Sequence, residues 1–364
     1  MAEDLGKTLL GEIEEVGLDE IFNTLRLQRQ VHNHYFNFPD LDRLLDSVTQ
    51  SSSASSKTAR PHPFIDLTST APGGGVTSLL HQFSALAVLP ETLSGKEACV
   101  VIIDADGTLS IPRLAQQVRT FIRKTHKASE QTSADAFIDG IISTALEHVH
   151  IFRPHSLAST IATLDALPEY LFDKTRHYSF DRPVTFVALD SASAFYWQSK
   201  AEEENAAFLA ATTSTDHKQP APASYASLAS ALKHISSMLH CPIVLTSRYL
   251  NPVAPLDTRG PDSQTLRPCL PAPLSNLPTL RLISHRLPVR KFPAGISAEG
   301  ARREAGDRQQ AVKAARFACE VNEWNLDERT LRKLQQEGSG FGFRITGEGL
   351  MIETKAVEAV EGRN

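Results

Sequence analysis

Cysteine is scarce in this chain. Its 364 residues include four, Cys99, Cys241, Cys269 and Cys319, far apart and with no CxxC pair. That spacing excludes a disulfide framework and a paired-thiolate zinc site, and it suits free thiols in a reducing compartment. Long apolar runs are missing too. No stretch reaches the length of a membrane span, and the opening MAEDLGK is acidic and lacks the apolar core of a secretory leader. A cytosolic or nuclear protein is therefore expected. Net positive charge is also absent: the formal charge is −5, so any contact with nucleic acid must come from a local basic face. No internal repeat is visible.

What is present is ordinary for a globular protein, with 41% hydrophobic and 22% charged residues. The length suits one large domain with appendages, or two domains. Residues 1–46 read as a short helical segment. Leu9, Leu10, Ile13, Val16, Ile21, Phe22 and Leu25 recur at helical spacing, and Gly17 divides them. His32 and His34 could form a two-histidine metal pair, but no carboxylate or cysteine partner stands nearby. Residues 47–63, SVTQSSSASSKTARPHP, have the composition of a flexible linker. A folded core is expected over 64–352, with a charged tail over 353–364.

Within the core, short apolar strands alternate with helices. Phe64–Leu67, Cys99–Ser110 (a buried-type strand ending in acidic residues), His148–Pro154, Val184–Leu189 and Pro242–Thr246 read as strands. Helices are expected after Arg113 to about Lys127, over Leu157–Phe172, partly over Lys200–Ala211, and over Tyr225–Leu239. The alternation predicts an α/β fold with a mainly parallel sheet flanked by helices. Proline-rich 251–278 reads as a long exposed loop. TLRLISHRLP reads as an edge strand with Arg281, His285, Arg286, Arg290 and Lys291 around it, either a basic patch or a sheet edge protected by charge. Ile296–Cys319 reads as a helix. FGFRITGEGLMI reads as a closing β-hairpin with Gly347 or Gly349 in its turn.

Two stretches carry chemistry. The strand at Phe64 runs into TSTAPGGGVTSLL, a glycine cluster ahead of an apolar helix, which is the layout of a phosphate-binding turn. Set against the Walker A pattern G-x-x-x-x-G-K-[ST], Gly75 fits the second glycine and Thr77 the Mg²⁺-binding hydroxyl. Thr70 replaces the first glycine, and Val76 replaces the lysine that reaches the terminal phosphates. The same residues would also serve as a glycine-rich helix entry with no ligand. The second stretch, VTFVALDSASAFYW, is a buried-type strand ending in Asp190. A carboxylate there orients Mg²⁺ in phosphate-binding folds, and elsewhere it simply begins a turn. GGG without G-x-G-x-x-G makes a dinucleotide-binding fold a weak alternative.

Laid out in this order, APGGGVTSLL, VVIIDADGT with Arg113 after it, and ALDSASAFYW resemble the RecA recombinase superfamily. Within it they resemble the eukaryotic recombinase paralogues of the X-ray-repair-cross-complementing group 2 branch. CPIVLTSRYL lies where that family has its sensor strand, and FRITGEGL resembles its closing hairpin. The resemblance implies a RecA-like P-loop core closed by a C-terminal hairpin. It implies nucleotide contacts from Gly73, Gly74, Gly75, Thr77, Ser78 and Asp190, and Mg²⁺ held by Thr77 and Asp190. Asp106 falls where active recombinases place the glutamate that positions water, one methylene shorter. With Val76 in place of lysine, ATP with Mg²⁺ loses its main charge partner. The resemblance further implies a nuclear, non-filament-forming adaptor in homologous-recombination repair of double-strand breaks. Another recombinase paralogue would be its partner, and its own DNA contact would be weak. An active DNA-dependent ATPase, with a cation lent by a neighbouring subunit, is the alternative.

Overall fold

The computed structural model describes residues 35–52, 62–125, 134–212, 223–250, 265–287, 295–314 and 316–353. The chain divides into Met1–Tyr35 and Phe36–Asn364. The expected amino-terminal helices, His32 and His34 lie outside the described residues, as do Arg290, Lys291 and the tail beyond Glu353.

The second unit is built on one nine-stranded sheet. In chain order its strands are β1 (Phe64–Ser69), β2 (Cys99–Asp104), β3 (Val149–Phe152), β4 (Val184–Asp190), β5 (Ile243–Arg248), β6 (Leu280–Arg286), β7 (Arg316–Val321), β8 (Gly340–Thr346) and β9 (Gly349–Glu353). Their spatial order is β3-β2-β4-β5-β1-β6-β7-β8-β9, parallel as far as β6 and antiparallel beyond it. Strands β2 and β4 read as continuous Val/Ile/Leu/Phe runs because both of their faces are buried.

Helices cover both faces. On one, α5 (Leu157–Leu171) and α7 (Tyr225–Leu239) pack Leu164, Leu167, Leu228 and Leu232 onto Val101, Ile103, Val187 and Leu245. Serines cap both helices: Ser156 accepts from the Ser159 N–H, and Ser224 from the Ser227 N–H. On the other face lie α1 (Pro39–Ser52), α2 (Val76–Val88) and α3 (Ile111–Thr125). Helix α1 belongs to the core rather than to an amino-terminal appendage. Leu41, Leu44, Leu45 and Val48 are buried at helical spacing, and Phe36 meets the rings of Phe83 and Phe186 at 5.4 and 5.5 Å. It carries the chain to Ser52, inside the Ser-rich stretch whose composition reads as linker.

The α/β class, the parallel core strands and the closing hairpin agree with the sequence reading. Three assignments need correction. TLRLISHRLP is not an edge: β6 lies between β1 and β7, and Arg281 is half-buried, donating to the Ser275 carbonyl at 2.6 Å. Arg316–Val321 is a strand rather than the end of a helix; Phe317, Cys319 and Val321 alternate inward, and α8 (Ala298–Ala314) stops before them. The Pro-rich stretch is not wholly exposed. Leu266 and Leu274 are buried, and Asn322 clamps Leu266 by its N–H and carbonyl at 2.9 and 2.8 Å. Helices α4 (Ala134–Leu146) and α9 (Glu328–Glu337) are additional to those expected. Helix α6 (Tyr196–Thr212) begins earlier than expected.

Candidate functional site

All six parallel strands end at the same sheet edge, where open α/β folds bind ligands. The loop after β1 brings Thr70–Gly75 there, and α2 starts from it. Gly75 is the residue before the helix and lies in the left-handed region at φ 87°, with no side-chain cap on the helix start. Gly73 is also left-handed, at φ 75°. Left-handed residues at positions 73 and 75 bend the chain sharply into the helix, whose first-turn N–H groups have no acceptor within the helix itself.

The glycines of this loop do different things. A Cβ on Gly74 would stand 2.0 Å from Ser69 Oγ and 2.8 Å from the Ser284 carbonyl, and Ser284 Oγ donates to the Gly74 carbonyl at 2.6 Å. A Cβ on Gly75 would stand 3.0 Å from the Phe343 ring and 3.2 Å from Ile345. Both positions are thus required by packing against β6 and β8. Gly73 alone has open space in front of it. Val76 is buried at 9% exposure, an aliphatic side chain in the core where a phosphate loop carries lysine. Thr77 and Ser78 follow in the first turn of α2, both half-buried.

Asp190 sits at the end of β4, 4% exposed. Its Oδ1 accepts from Thr246 Oγ1 on β5, while its Oδ2 has no partner. Burial pushes its carboxyl up to about 6, and the neighbouring Asp104 and Asp106 add to the rise. Its carbonyl accepts from Ala105 N–H at 2.6 Å and Asp106 N–H at 3.3 Å, so the ends of β2 and β4 are tied together. The DSAS run after β4 is a local brace. Ser191 and Ser193 share a hydrogen bond of 2.8 Å, Ser193 Oγ accepts the Arg248 N–H at 3.1 Å, and Tyr225 donates to the Ala192 carbonyl at 3.0 Å.

The other two aspartates are engaged. Asp104 accepts from the Thr108 and Leu109 N–H groups and pairs with Arg153 at 3.0 Å. Asp106 pairs with Arg248 at 3.0 Å. A carboxylate neutralised by a guanidinium is a poor acceptor for a water proton, which weighs against Asp106 as a water-positioning base.

The chain is similar to a RAD51 homologue. The match is to DNA repair protein RAD51 homolog 3 of Cricetulus griseus, 27% identical over 112 residues. It takes in 29% of this chain and 30% of that protein, so the chain matches about a third of the relative's length. No protein-family model matches. The likeness and the strand order together identify the sheet and its flanking helices as a RecA-like α/β core, and they support a relationship to the RecA/RAD51 family.

Against Mg²⁺ and a nucleotide, the recombinase-like site fits in part. The open Gly73 turn and the unpartnered Asp190 oxygen suit a polyphosphate and a hydrated divalent cation; buried Val76 does not. Among the described residues no group of three or more His, Cys, Asp or Glu could hold a metal ion by itself, and no helix is long and apolar enough to cross a membrane. Sequence reasoning placed the glycines, Thr77, Ser78, Asp106 and Asp190, and the fold brings Asp106 and Asp190 together. It did not single out Arg248 or Arg153, whose partners are far away in the chain.

Proposed function

We propose that this chain is a recombinase paralogue of the X-ray-repair-cross-complementing group 2 kind. It acts in the nucleus as a non-filament-forming adaptor for homologous-recombination repair of double-strand breaks. Its direct partner is another recombinase paralogue, and DNA is reached mainly through the complex. The RecA-like core and the similarity to a protein named for DNA repair support the family level of this reading. One observation carries the adaptor level. Val76 is packed into the core where hydrolysis needs a cation on the terminal phosphates. The engagement of Asp106 by Arg248 points the same way. ATP hydrolysis is accordingly lost or very weak.

Affinity capture of the tagged chain from nuclear extract, with deletion in the same cells, tests this. Co-purification of a recombinase-family subunit and sensitivity to DNA crosslinking agents on deletion are expected. Failure of both would remove the reading.

The second reading, a DNA-dependent ATPase, draws on Gly73 and on the unpartnered oxygen of Asp190. Brisk turnover by the purified chain, lost in Asp190→Asn, would establish it in place of the adaptor.

A further inference from the structure

The antiparallel end of the sheet presents an open face on which the register sets the residues in rows. The Leu287 N–H donates to the Arg316 carbonyl at 3.0 Å, Arg316 lies directly opposite Arg344, and Arg344 lies opposite Met351. The row beside it runs His285, Ala318, Gly342 and Glu353. The sequence of β8 explains why this face is open. In GFGF, Phe341 and Phe343 are buried, Phe341 against the Phe38 ring at 5.1 Å, so Gly340 and Gly342 fall on the opposite face. A cleft of about 630 Å³ opens above them.

Two features of this face are not explained by packing. Like charges directly opposite each other on neighbouring strands repel, yet Arg316 and Arg344 are so placed. One carboxylate bridges them. Glu353 accepts from Arg316 Nε and Nη2 at 3.0 and 2.9 Å, and from Arg344 Nε. Both arginine side chains stay about half exposed, at 52% and 48%. The other carboxylate of the face, Glu320, stands two rows away, opposite Gly340. The second feature is Gly342. A Cβ there would come no nearer than 3.3 Å to any group beyond its chain neighbours, and that group is the tip of the Glu353 side chain. Glycine inside a strand commonly marks a place where another backbone comes close. Leu287 and Met351, each 37% exposed, flank the arginine row.

We propose that this face docks an extended phosphorylated segment of a partner protein, with Arg316 and Arg344 together gripping one phosphoserine or phosphothreonine. A phosphate carries a charge of about −1.5 to −2 and three acceptor oxygens, and it suits paired guanidiniums better than a carboxylate does. That difference favours phosphate over an acidic side chain. A partner's Glu or Asp would only replace Glu353 with its equal, whereas a phosphate displaces it at a net gain. Glu353 thus holds the two arginines side by side in the free chain and sets the threshold for what takes its place. The Gly342 floor admits the backbone of the segment, and Leu287 and Met351 meet its neighbouring side chains. The face lies across the sheet from α1 and α2, and its role depends neither on a nucleotide nor on the adaptor reading.

The test is a fluorescence-anisotropy titration of the full chain with a short labelled peptide of alternating Val and Thr carrying one central phosphoserine. The matching Ser and Glu peptides and a labelled oligothymidylate are titrated beside it, and thermal unfolding checks that each variant is folded. The phosphopeptide should bind and the Ser peptide should not. Arg316→Gln and Arg344→Gln should each weaken binding by about tenfold to a hundredfold, the worth of a charge-assisted contact. Glu353→Gln should tighten it severalfold and let the Glu peptide bind as well. Arg303→Gln, at an exposed position on α8, should change nothing. The proposal is overturned if the parent binds no phosphopeptide up to the millimolar range, or binds the Glu peptide equally well. It is also overturned if Arg303→Gln weakens binding as much as the sheet arginines do, or if the sheet variants lose the oligothymidylate but keep the phosphopeptide. Each of these results leaves the adaptor reading to be decided by partner capture.

Discussion

Gln117 holds Leu350 by both of its backbone polar groups. Its Nε2 donates to the Leu350 carbonyl at 3.1 Å, and the Leu350 N–H donates to its Oε1 at 2.6 Å. The amide is buried, and Nε2 also donates to Gln82 Oε1 at 2.7 Å. Leu350 lies in β9, the last strand of the sheet, whose outer backbone groups have no strand to pair with among the described residues. One helix side chain thus stands in for a strand partner and fastens the closing hairpin over α3. Replacing Gln117 by Leu should cost about 2–4 kcal/mol, since it leaves a buried N–H and a buried carbonyl unsatisfied. Urea unfolding measures it; a loss below about 0.5 kcal/mol would show that the clamp is not holding the edge.

Gly74 and Gly75 are expected to matter for folding before they matter for any ligand. Gly75→Ala meets both a left-handed backbone and the Phe343 ring, and Gly74→Ala meets Ser69 and the Ser284 carbonyl. Each should destabilise by about 1–3 kcal/mol with no nucleotide present. Gly73→Ala has open space and is left with the backbone strain alone. Equal melting temperatures for all three variants and the parent would refute this division of roles.

Asp190 should make the protein less stable as pH rises through its titration. Its folded carboxyl, pushed to about 6 by burial, stands above the ordinary value of 3.8. Between those two values the native state binds more protons than the unfolded chain, so stability falls as pH climbs from about 4 to about 6 and stays reduced above. Asp190→Asn keeps the acceptor for Thr246 and removes the charge. It should gain on the order of 1–3 kcal/mol at pH 8 and little near pH 4. Guanidinium melts at the two pH values decide it, and an unchanged or negative effect at pH 8 would count against a buried charged carboxylate.

His150 acts in the opposite direction. It is buried beneath Tyr170, with Nε2 and Nδ1 at 2.9 Å from Ser179 Oγ and 3.0 Å from the Tyr170 hydroxyl. Burial, reinforced by the nearby His177 and His148, lowers its pKa to about 4. Because the unfolded imidazole binds its proton near 6.5, stability is lost as pH falls from there towards 4. His148, also bonded to Ser179 at 2.9 Å, is shifted in the same sense by burial. His150→Gln should flatten the acid limb of a stability-versus-pH curve, and an unchanged slope would exclude the cluster as its source.

Much of this fold was legible because local chemistry and final structure agree. VTFVALD reads as a buried strand and is one, and Tyr225–Leu239 has the bounds its periodicity predicts, since Ser224 caps it and His240 ends it in a left-handed turn. RFACEV misled because it follows an alanine-rich helix without a break. Its period-two burial exists only once β6 and β8 lie on either side. TLRLISH misled because charge suggested an edge, whereas Arg281 is drawn inward by Asp66 and the Ser275 carbonyl.

By itself the sequence determined the class of the core, the position of the glycine turn, the carboxylate at the end of β4 and the missing lysine. Each of these is written in a few neighbouring residues, where strand burial, turn geometry and side-chain charge are local properties. Only the tertiary structure decided that Gly74 and Gly75 serve packing, that Asp190 keeps one oxygen unpartnered, and that Arg248 reaches Asp106 across 142 residues of chain. Those facts depend on which strands the sheet sets side by side, and strand order is a property of the whole chain's burial, not of any one segment.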